Sequence, residues 1–359
     1  MAGGGGGAMA RNKAVVIGGM GVIGRNLIDH LEPLGDDWDI VGVSRRDPDF
    51  KTRAEYISVD LLDADATQSR LGEVTDATHL FYCAFQERPT WAEHNAPNLA
   101  MLVNAVTAVE DASSMLRHVH LVEGTKIYGS HLGPFKTPAK ESDPPHMLPN
   151  FYFDQEMWLR DHQAGKSWHW SALRPQTVCG FALGNPMNLS TVIAVYAVIS
   201  RELGLPLRFP GKPGAFSALY QATDSSHLAK AMLWCGTAEA AQDEVFNVTN
   251  GDYFRWQNLW PRIADFFGMA WAPPQTISLT EFMADKKPLW TQIVDRYKLR
   301  RTAYEDVASW PFGDYVFGCD WDVMTDTLKI RQAGFHDCLD SEQMFLDLFR
   351  QFRAMKLIP

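Results

Sequence analysis

The sequence predicts an α/β protein: a Rossmann-type parallel sheet with helices on both faces, and a smaller, mostly helical C-terminal cap. Three observations predict it. An apolar strand runs into a Gly-x-x-Gly-x-x-Gly turn and a helix, strands and helices then alternate up to about residue 184, and that alternation weakens from about residue 185. Residues 13–184 are therefore expected to form a dinucleotide-binding core. Residues 185–359 are a mixed region that completes the core and supplies the cap, and residues 1–12, with glycines at 3–7, are expected to be a disordered tail.

Residues 14–17, Ala-Val-Val-Ile, read as a buried parallel strand, and residues 25–31 carry the period of a helix. The glycines between them have separate reasons. Gly18 lets the chain leave the strand in a tight turn, Gly21 lets backbone amides approach a pyrophosphate, and Gly24 lets the helix sit close to the strand. The first-turn amides, those of Val22 and Ile23 among them, have no partner inside the helix and are free to donate to phosphate.

A second strand, residues 39–44, ends at Ser44-Arg45-Arg46. A hydride carrier without a ribose phosphate calls for a carboxylate at this strand end, to accept from the 2′-hydroxyl. Two guanidinium groups stand there instead, and their planar forks suit a phosphate. NADPH/NADP+ is therefore expected over NADH. The alternative is that both arginines are solvated and that Asp47 or Asp49 reaches back to the ribose.

The third strand, residues 55–59, leads to Asp60 and Leu61, expected at the adenine; Asp60 is also placed to cap the next helix. The fourth, residues 78–84, ends in Cys83 and Ala84, small enough for a cofactor to cross the sheet edge. Residues 85–97 read as a polar and aromatic loop bordering substrate through Phe85, Arg88 and Trp91, and residues 98–112 as an apolar-faced helix. A fifth strand, residues 118–122, runs into Glu123-Gly124-Thr125-Lys126-Ile127-Tyr128-Gly129 and sets Lys126 where open α/β sheets keep ligands.

Residues 134–149 are loop, and a helix opens at Asn150 and runs to about residue 162. The strand at residues 166–173 ends in Arg174-Pro175-Gln176-Thr177-Val178; Pro175 fixes the backbone leaving the sheet, and Thr177 and Val178 are placed to edge the nicotinamide. Beyond the join at 184–186, residues 189–203 read as an apolar helix, 207–210 as extended and 211–215 as a turn. Residues 220–226 lead into a helix through Trp234 capped by Asp224 or Ser225, residues 244–248 form a strand, and residues 256–267 a helix. Residues 271–274 are extended, and residues 279–353 are mostly helical. The aromatic density of this region exceeds what solubility requires, so it is expected to hold substrate, with Phe312 and Phe317 among the contacts.

A net charge of −10 argues against nonspecific binding to nucleic acid or an anionic membrane, and no apolar run has membrane-spanning length. Cys83, Cys179, Cys235, Cys319 and Cys338 are scattered without a CxxC, and the 11 histidines show no HExxH, so no metal is expected. Reduced thiols in a cytoplasmic protein are the economical reading, and a homodimer is compatible with it.

Lys126 and Tyr152 carry the expected chemistry. A carbonyl-bearing hydride acceptor develops negative charge on oxygen, which calls for a hydrogen-bond donor and a nearby cation. A phenol has a reference pKa of about 10, and a neighbouring ammonium eases its ionisation. Tyr152 is then the donor, with Lys126 holding the ribose hydroxyls and lowering the tyrosine pKa. The usual short-chain dehydrogenase signature sets a lysine four residues after the tyrosine, where this chain has Glu156, so Lys126 must supply that charge.

At these segments the chain resembles the progesterone 5β-reductase and iridoid synthase family of atypical short-chain dehydrogenases/reductases. That family's Thr-Gly-x-Lys-x-Tyr-x-Gly segment is similar to residues 123–130, with Gly124, Lys126 and Tyr128 matching and Glu123 and Ser130 departing. Its Asn-Phe-Tyr-Tyr-x-x-Glu-Asp segment resembles residues 150–157, so that its catalytic tyrosine falls on Tyr152, with Phe153 and Met157 as departures. Its His-Arg-Pro-x-x-Ile-x-Gly segment is similar to residues 173–180. The resemblance implies an extended short-chain dehydrogenase/reductase fold with a helical cap, NADPH, and hydride transfer to the β-carbon of an enone or enal, including steroid-like ones. Tyr152 and Lys126 would then stabilise the enolate, and the substrate would be small and apolar or moderately polar; Tyr128 is expected either to border the substrate and orient the active site or to serve in packing. Two alternatives stand beside this: direct carbonyl reduction to an alcohol, and an NADPH-sensing protein without catalysis.

Overall fold

The computed structural model describes residues 11–48, 50–184 and 187–359, and places seven parallel strands in one sheet. They are Asn12–Ile17 (β1), Trp38–Ser44 (β2), Glu55–Ser58 (β3), His79–Tyr82 (β4), His118–Val122 (β5), His169–Pro175 (β6) and Glu244–Val248. From one edge to the other the order is Glu244–Val248, β6, β5, β4, β1, β2, β3. The direction of succession reverses at β1 and β4, which pair from Ala14 opposite His79 to Ile17 opposite Tyr82. Such a reversal opens a crevice beyond the carboxyl ends of the strands. Register brings those ends level, with Ile17 opposite Val43, Ser44 opposite Ser58, and Tyr82 opposite Leu121.

Period two along β1 sorts its side chains between the two faces. Ala14 and Val16 pack with Leu27 and Leu31 of Val22–Leu31 (α1) and with Leu228 and Met232 of the helix Ser225–Thr237. Val15 and Ile17 face Leu71 of Ala64–Leu71 (α2), Leu102 and Val106 of Trp91–Ala112 (α3), and Leu159 of Phe151–Gln163 (α4). Each fully buried aliphatic side chain of this kind stabilises the fold by about 1.5–3 kcal/mol, which ties both helical layers to the sheet.

The C-terminal region has its own core. In Leu189–Glu202 (α5) every residue from Leu189 to Ser200 is buried, as befits a helix without a polar face. Phe209, Trp256, Trp260, Phe317 and Phe349 pack around it. The same region returns Glu244–Val248 to the sheet, where it pairs with β6 from Glu244 opposite Ser171 to Val248 opposite Pro175. Among the described residues no helix is long and apolar enough to cross a membrane.

Several boundaries differ from the sequence expectation. Residues 85–97 are not all loop, because α3 begins at Trp91 and carries Pro97 inside it. The Thr90 amide donates to the Glu93 carboxylate at 3.4 Å, and this start signal outweighs the backbone donor that Pro97 removes. The turn expected at 211–215 is instead a short helix, Pro213–Ser217, with proline in its first turn. The strand expected at 166–173 is β6, so Pro175 is its last paired residue and does not lie outside the sheet. Asp60 does not cap α2: Asp63 does, accepting from Ala66 N at 2.9 Å, while Asp60 accepts from Leu62 N at 3.1 Å. Asp224 caps Ser225–Thr237 as the sequence suggests. Asn12, expected in the tail, opens β1; the glycines at 3–7 and the Asn185-Pro186 join lie outside the described residues.

Candidate active site

A cavity of about 850 Å³ opens along the carboxyl edge of the sheet. Its first half is made of backbone. Gly18 leaves β1 at φ +83°, and a Cβ there would lie 3.0 Å from the Cys83 carbonyl and the Ala84 amide, so only glycine fits. Gly24 was expected to contact cofactor but does not line the cavity; a Cβ on it would lie 2.4 Å from the Gly18 carbonyl oxygen. Its part is to let α1 press against the turn from behind. Gly21 is the N-cap of α1, no side chain caps that end and no acid occupies its first turn, which leaves the amides at Val22 and Ile23 open to an anion.

Ser44, Arg45 and Arg46 line the cavity at the end of β2, with both arginines exposed and Arg46 N donating to Ser44 Oγ at 3.3 Å. Asp47 is exposed and does not line the cavity, and Asp49 lies outside the described residues. Asp60 and Leu61 line it beyond β3, Cys83 and Ala84 beyond β4, and Pro175, Thr177 and Val178 at the end of β6. Thr177 holds φ +25°, a strained value for a β-branched residue, and its Oγ1 is 2.6 Å from the Tyr220 hydroxyl. Glycine turn, open helix end and paired guanidinium groups together fit a dinucleotide that carries an extra phosphate.

The second half holds the reactive side chains. Lys126 and Tyr152, 26 residues apart in sequence, line the same cavity. Asn150 joins them: its side-chain amide donates to the Lys126 carbonyl at 3.1 Å, and its oxygen accepts from Tyr152 N at 3.1 Å as the cap of α4. Lys126 Nζ lies 3.7 Å from Met187 Sδ and 5.5 Å from the Tyr315 ring centre. Burial holds the ammonium below its usual pKa, with Glu87 and Cys319 opposing. Tyr152 moves the other way from the expectation. Burial, reinforced by Glu123 and Glu87, holds its pKa above that of an ordinary phenol, so Tyr152 is a protonated donor at neutral pH and not a tyrosinate.

Of the side chains expected at the substrate, Phe85 and Phe312 line the cavity. Phe85 stacks on Phe151 at 5.5 Å, and Phe151 meets Tyr152 at 4.1 Å. Four others do not line it. Phe317 is buried in the cap core against Phe209 and Trp256, because it stands five residues beyond Phe312, about 140° round the helix Trp310–Gly318. Tyr315, three residues beyond Phe312, shares its face and lines the cavity. Arg88 turns to Gln86, donating to its side-chain oxygen at 2.9 Å. Trp91 stands one layer out, donating to the Pro149 carbonyl at 3.2 Å, with Lys126 Nζ 5.7 Å from its ring centre.

Tyr128 is the fourth, and it belongs to a buried polar cluster. Its hydroxyl donates to Asn247 Oδ1 at 2.7 Å and accepts from Arg174 Nη1 at 2.9 Å. Arg174 also donates from Nε to Glu123 at 2.8 Å and from Nη2 to Glu156. Burial works to lower the pKa of Arg174, but Glu123, Tyr128 and Glu156 outweigh it, so the guanidinium stays charged. Glu156, standing where the common signature has lysine, is thus a partner of Arg174 beneath the site.

The sequence reading missed Tyr315, Met187, Leu183, Gln155 and Glu87, all of which line the cavity. The i, i+3 relation to Phe312 was a usable signal for Tyr315; Met187 and Leu183 sit in irregular segments with no periodic signal.

Residues 57–359 match the description of a PRISE-like Rossmann-fold domain. The chain is 34% identical to the (S)-8-oxocitronellyl enol synthase of Nepeta racemosa over 96% of its own length and 93% of that protein. It is 32% identical to a 3-oxo-Δ4,5-steroid 5β-reductase of Arabidopsis thaliana, again over 96% and 93%. Among solved structures it is similar to a short-chain dehydrogenase/reductase superfamily protein from Agrobacterium tumefaciens with bound NAD. That likeness has a TM-score of 0.67 at 13% identity, covers 96% and 99% of the two chains, and speaks for the fold alone.

Proposed function

The chain belongs to the PRISE-like Rossmann-fold family, and on that premise we propose that it is an NADPH-dependent ene-reductase acting on α,β-unsaturated carbonyl compounds. The observation that carries the proposal is the convergence of Lys126 and Tyr152 in one cavity with the glycine turn and Arg45-Arg46. The reduced nicotinamide, when bound, supplies hydride for the β-carbon of the enone or enal.

The chain's own residues deal with the charge that follows. As negative charge moves onto the carbonyl oxygen, the protonated Tyr152 hydroxyl donates to it, and the buried ammonium of Lys126 attracts it in a medium of low dielectric. Asn150 keeps the two on a common frame. Phe85, Phe151, Phe312 and Tyr315 exclude water and favour a small substrate that is apolar or moderately polar. Arg45 and Arg46 are the proposed contacts of the 2′-phosphate, Asp60 and Leu61 of the adenine, and Thr177 and Val178 of the nicotinamide edge. The five free cysteines support a reducing, cytoplasmic setting.

Incubation with NADPH and a panel of enones, enals and ketones, followed by product identification, tests this reading. The expected product is the saturated carbonyl. An alcohol with the double bond intact would mark direct carbonyl reduction, and no consumption of NADPH despite binding would mark a sensing protein.

A further inference from the structure

Thr177 stands out on two counts. Its backbone holds φ +25°, in the region that favours glycine, although the residue is β-branched. Its side chain is tied to the cap, with Oγ1 2.6 Å from the hydroxyl of Tyr220. Tyr220 belongs to the short strand Leu219–Tyr220, which pairs antiparallel with Phe254–Arg255, and its ring lies 5.7 Å from that of Trp256 and 6.0 Å from that of Phe254. A buried residue of the cap core therefore grips the segment that follows β6 at the cavity edge. Strained backbone persists only where its surroundings over-determine it. Here Gln176 Nε2 donates to Thr177 Oγ1 at 3.1 Å, Thr223 N donates to the Thr177 carbonyl at 3.2 Å, and Thr223 Oγ1 donates to the Gln176 carbonyl at 2.7 Å.

The hydrogens of this group are all assigned but one. Gln176 Oε1 accepts from Thr125 Oγ1, which turns Nε2 toward the two hydroxyls, and Nε2 also donates to the Tyr220 hydroxyl at 3.3 Å. Among the described residues that hydroxyl has no hydrogen-bond partner besides Gln176 and Thr177, so its own proton goes to Thr177 Oγ1. Burial raises the Tyr220 pKa well above that of an ordinary phenol, so the proton stays in place. Thr177 Oγ1 thus accepts twice, and its own hydrogen is left to donate. Thr177 lines the cavity and Tyr220 does not. An unspent donor at the cavity wall suits an acceptor on the ligand, and the nicotinamide edge carries one, the carboxamide oxygen.

We propose that Tyr220 is a positioning residue for the cofactor: from the cap it holds Thr177 in its strained backbone and leaves the Thr177 hydroxyl to donate to the nicotinamide carboxamide, which sets the ring for hydride transfer. This rests on the ene-reductase reading, in which Thr177 edges the nicotinamide. The grip also explains why the strain is kept, since a relaxed Thr177 would carry its hydroxyl away from Tyr220. Because the holding group comes from the cap, the same element that shapes the substrate end fixes the reacting end of the cofactor.

The test measures Kd for NADP+ and for its thionicotinamide analogue, in which sulfur, a weaker acceptor, replaces the carboxamide oxygen. The wild type should prefer NADP+ about fivefold, the size of one neutral hydrogen bond. Tyr220→Phe keeps the ring against Trp256 and Phe254 and removes only the hydroxyl; it should bring the preference within about twofold of unity, as should Thr177→Val. Thr177→Ser, which retains Oγ, should restore the wild-type preference. Tyr220→Phe should also lower kcat for enone reduction about tenfold with KM for the enone within about twofold, because a misplaced nicotinamide slows hydride transfer and not substrate binding. Equal wild-type affinities, a preference that Tyr220→Phe leaves unchanged, or a kcat within about twofold of wild type overturns the proposal. Should Tyr220→Phe not fold, Thr177→Val decides, and an unchanged preference in that variant overturns it. If the preference collapses as expected while the wild type forms no saturated carbonyl, the ene-reductase reading fails; if the wild type forms that product and the preference does not move, this inference alone fails.

Discussion

The two ends of the cavity are built on different plans. At the end proposed for the nucleotide, the lining comes from short segments next to the ends of neighbouring strands: Gly18 after β1, Arg45 after β2, Asp60 after β3, Cys83 after β4. At the end proposed for the substrate, Phe85, Phe151, Met187, Phe312 and Tyr315 arrive from segments spread over more than two hundred residues. The first end is a property of sheet register, so it tolerates little change in backbone and much in distant side chains. The second is a property of packing between layers, so its shape depends on which face of each helix turns inward.

The sharpest way to break this comparison is at the aromatic pair of the helix Trp310–Gly318. Phe317→Ala should destabilise the protein by about 3–5 kcal/mol in chemical denaturation, because it empties the cap core. Phe312→Ala, at the cavity wall, should change stability by less than about 1 kcal/mol and act on the KM for substrate. Equal stability costs would mean that the helix is rotated from the orientation described.

Tyr152→Phe comes next in size. It should reduce kcat for enone reduction about 100-fold, equivalent to about 2.7 kcal/mol of transition-state stabilisation, while the Kd for NADPH measured by fluorescence titration moves little. A comparable loss of NADPH affinity would merge the two ends that the structure keeps apart.

The double variant Arg45→Ala with Arg46→Ala sharpens the comparison from the nucleotide side. NADPH affinity should fall about tenfold, and NADH affinity should stay within about twofold. Equal losses for both cofactors would assign the arginines a role other than the 2′-phosphate.

The cavity lining at the end proposed for the nucleotide was largely legible in the linear chain because its determinants are local. A glycine that must leave a strand at φ +83°, a helix without a capping side chain, and charges at a strand end all act within a few residues of one another. Gly24 shows the limit of that legibility: its spacing was read, but its contact is with Gly18 and not with the cavity. Asp60 was misread as a cap for a similar reason, since Asp63 stands three residues nearer the helix and offers the same chemistry.

By itself the sequence determined the parallel sheet, the nucleotide turn, the two arginines and the candidacy of Lys126 and Tyr152, because strand and turn preferences operate over short distances. Only the tertiary structure decided that Tyr315 faces the cavity while Phe317 does not, and that Tyr128 and Glu156 serve Arg174. It also decided that Tyr152 is held as a protonated donor. Those outcomes depend on burial and on which charges end up side by side, and both are set by contacts between residues that are remote in sequence.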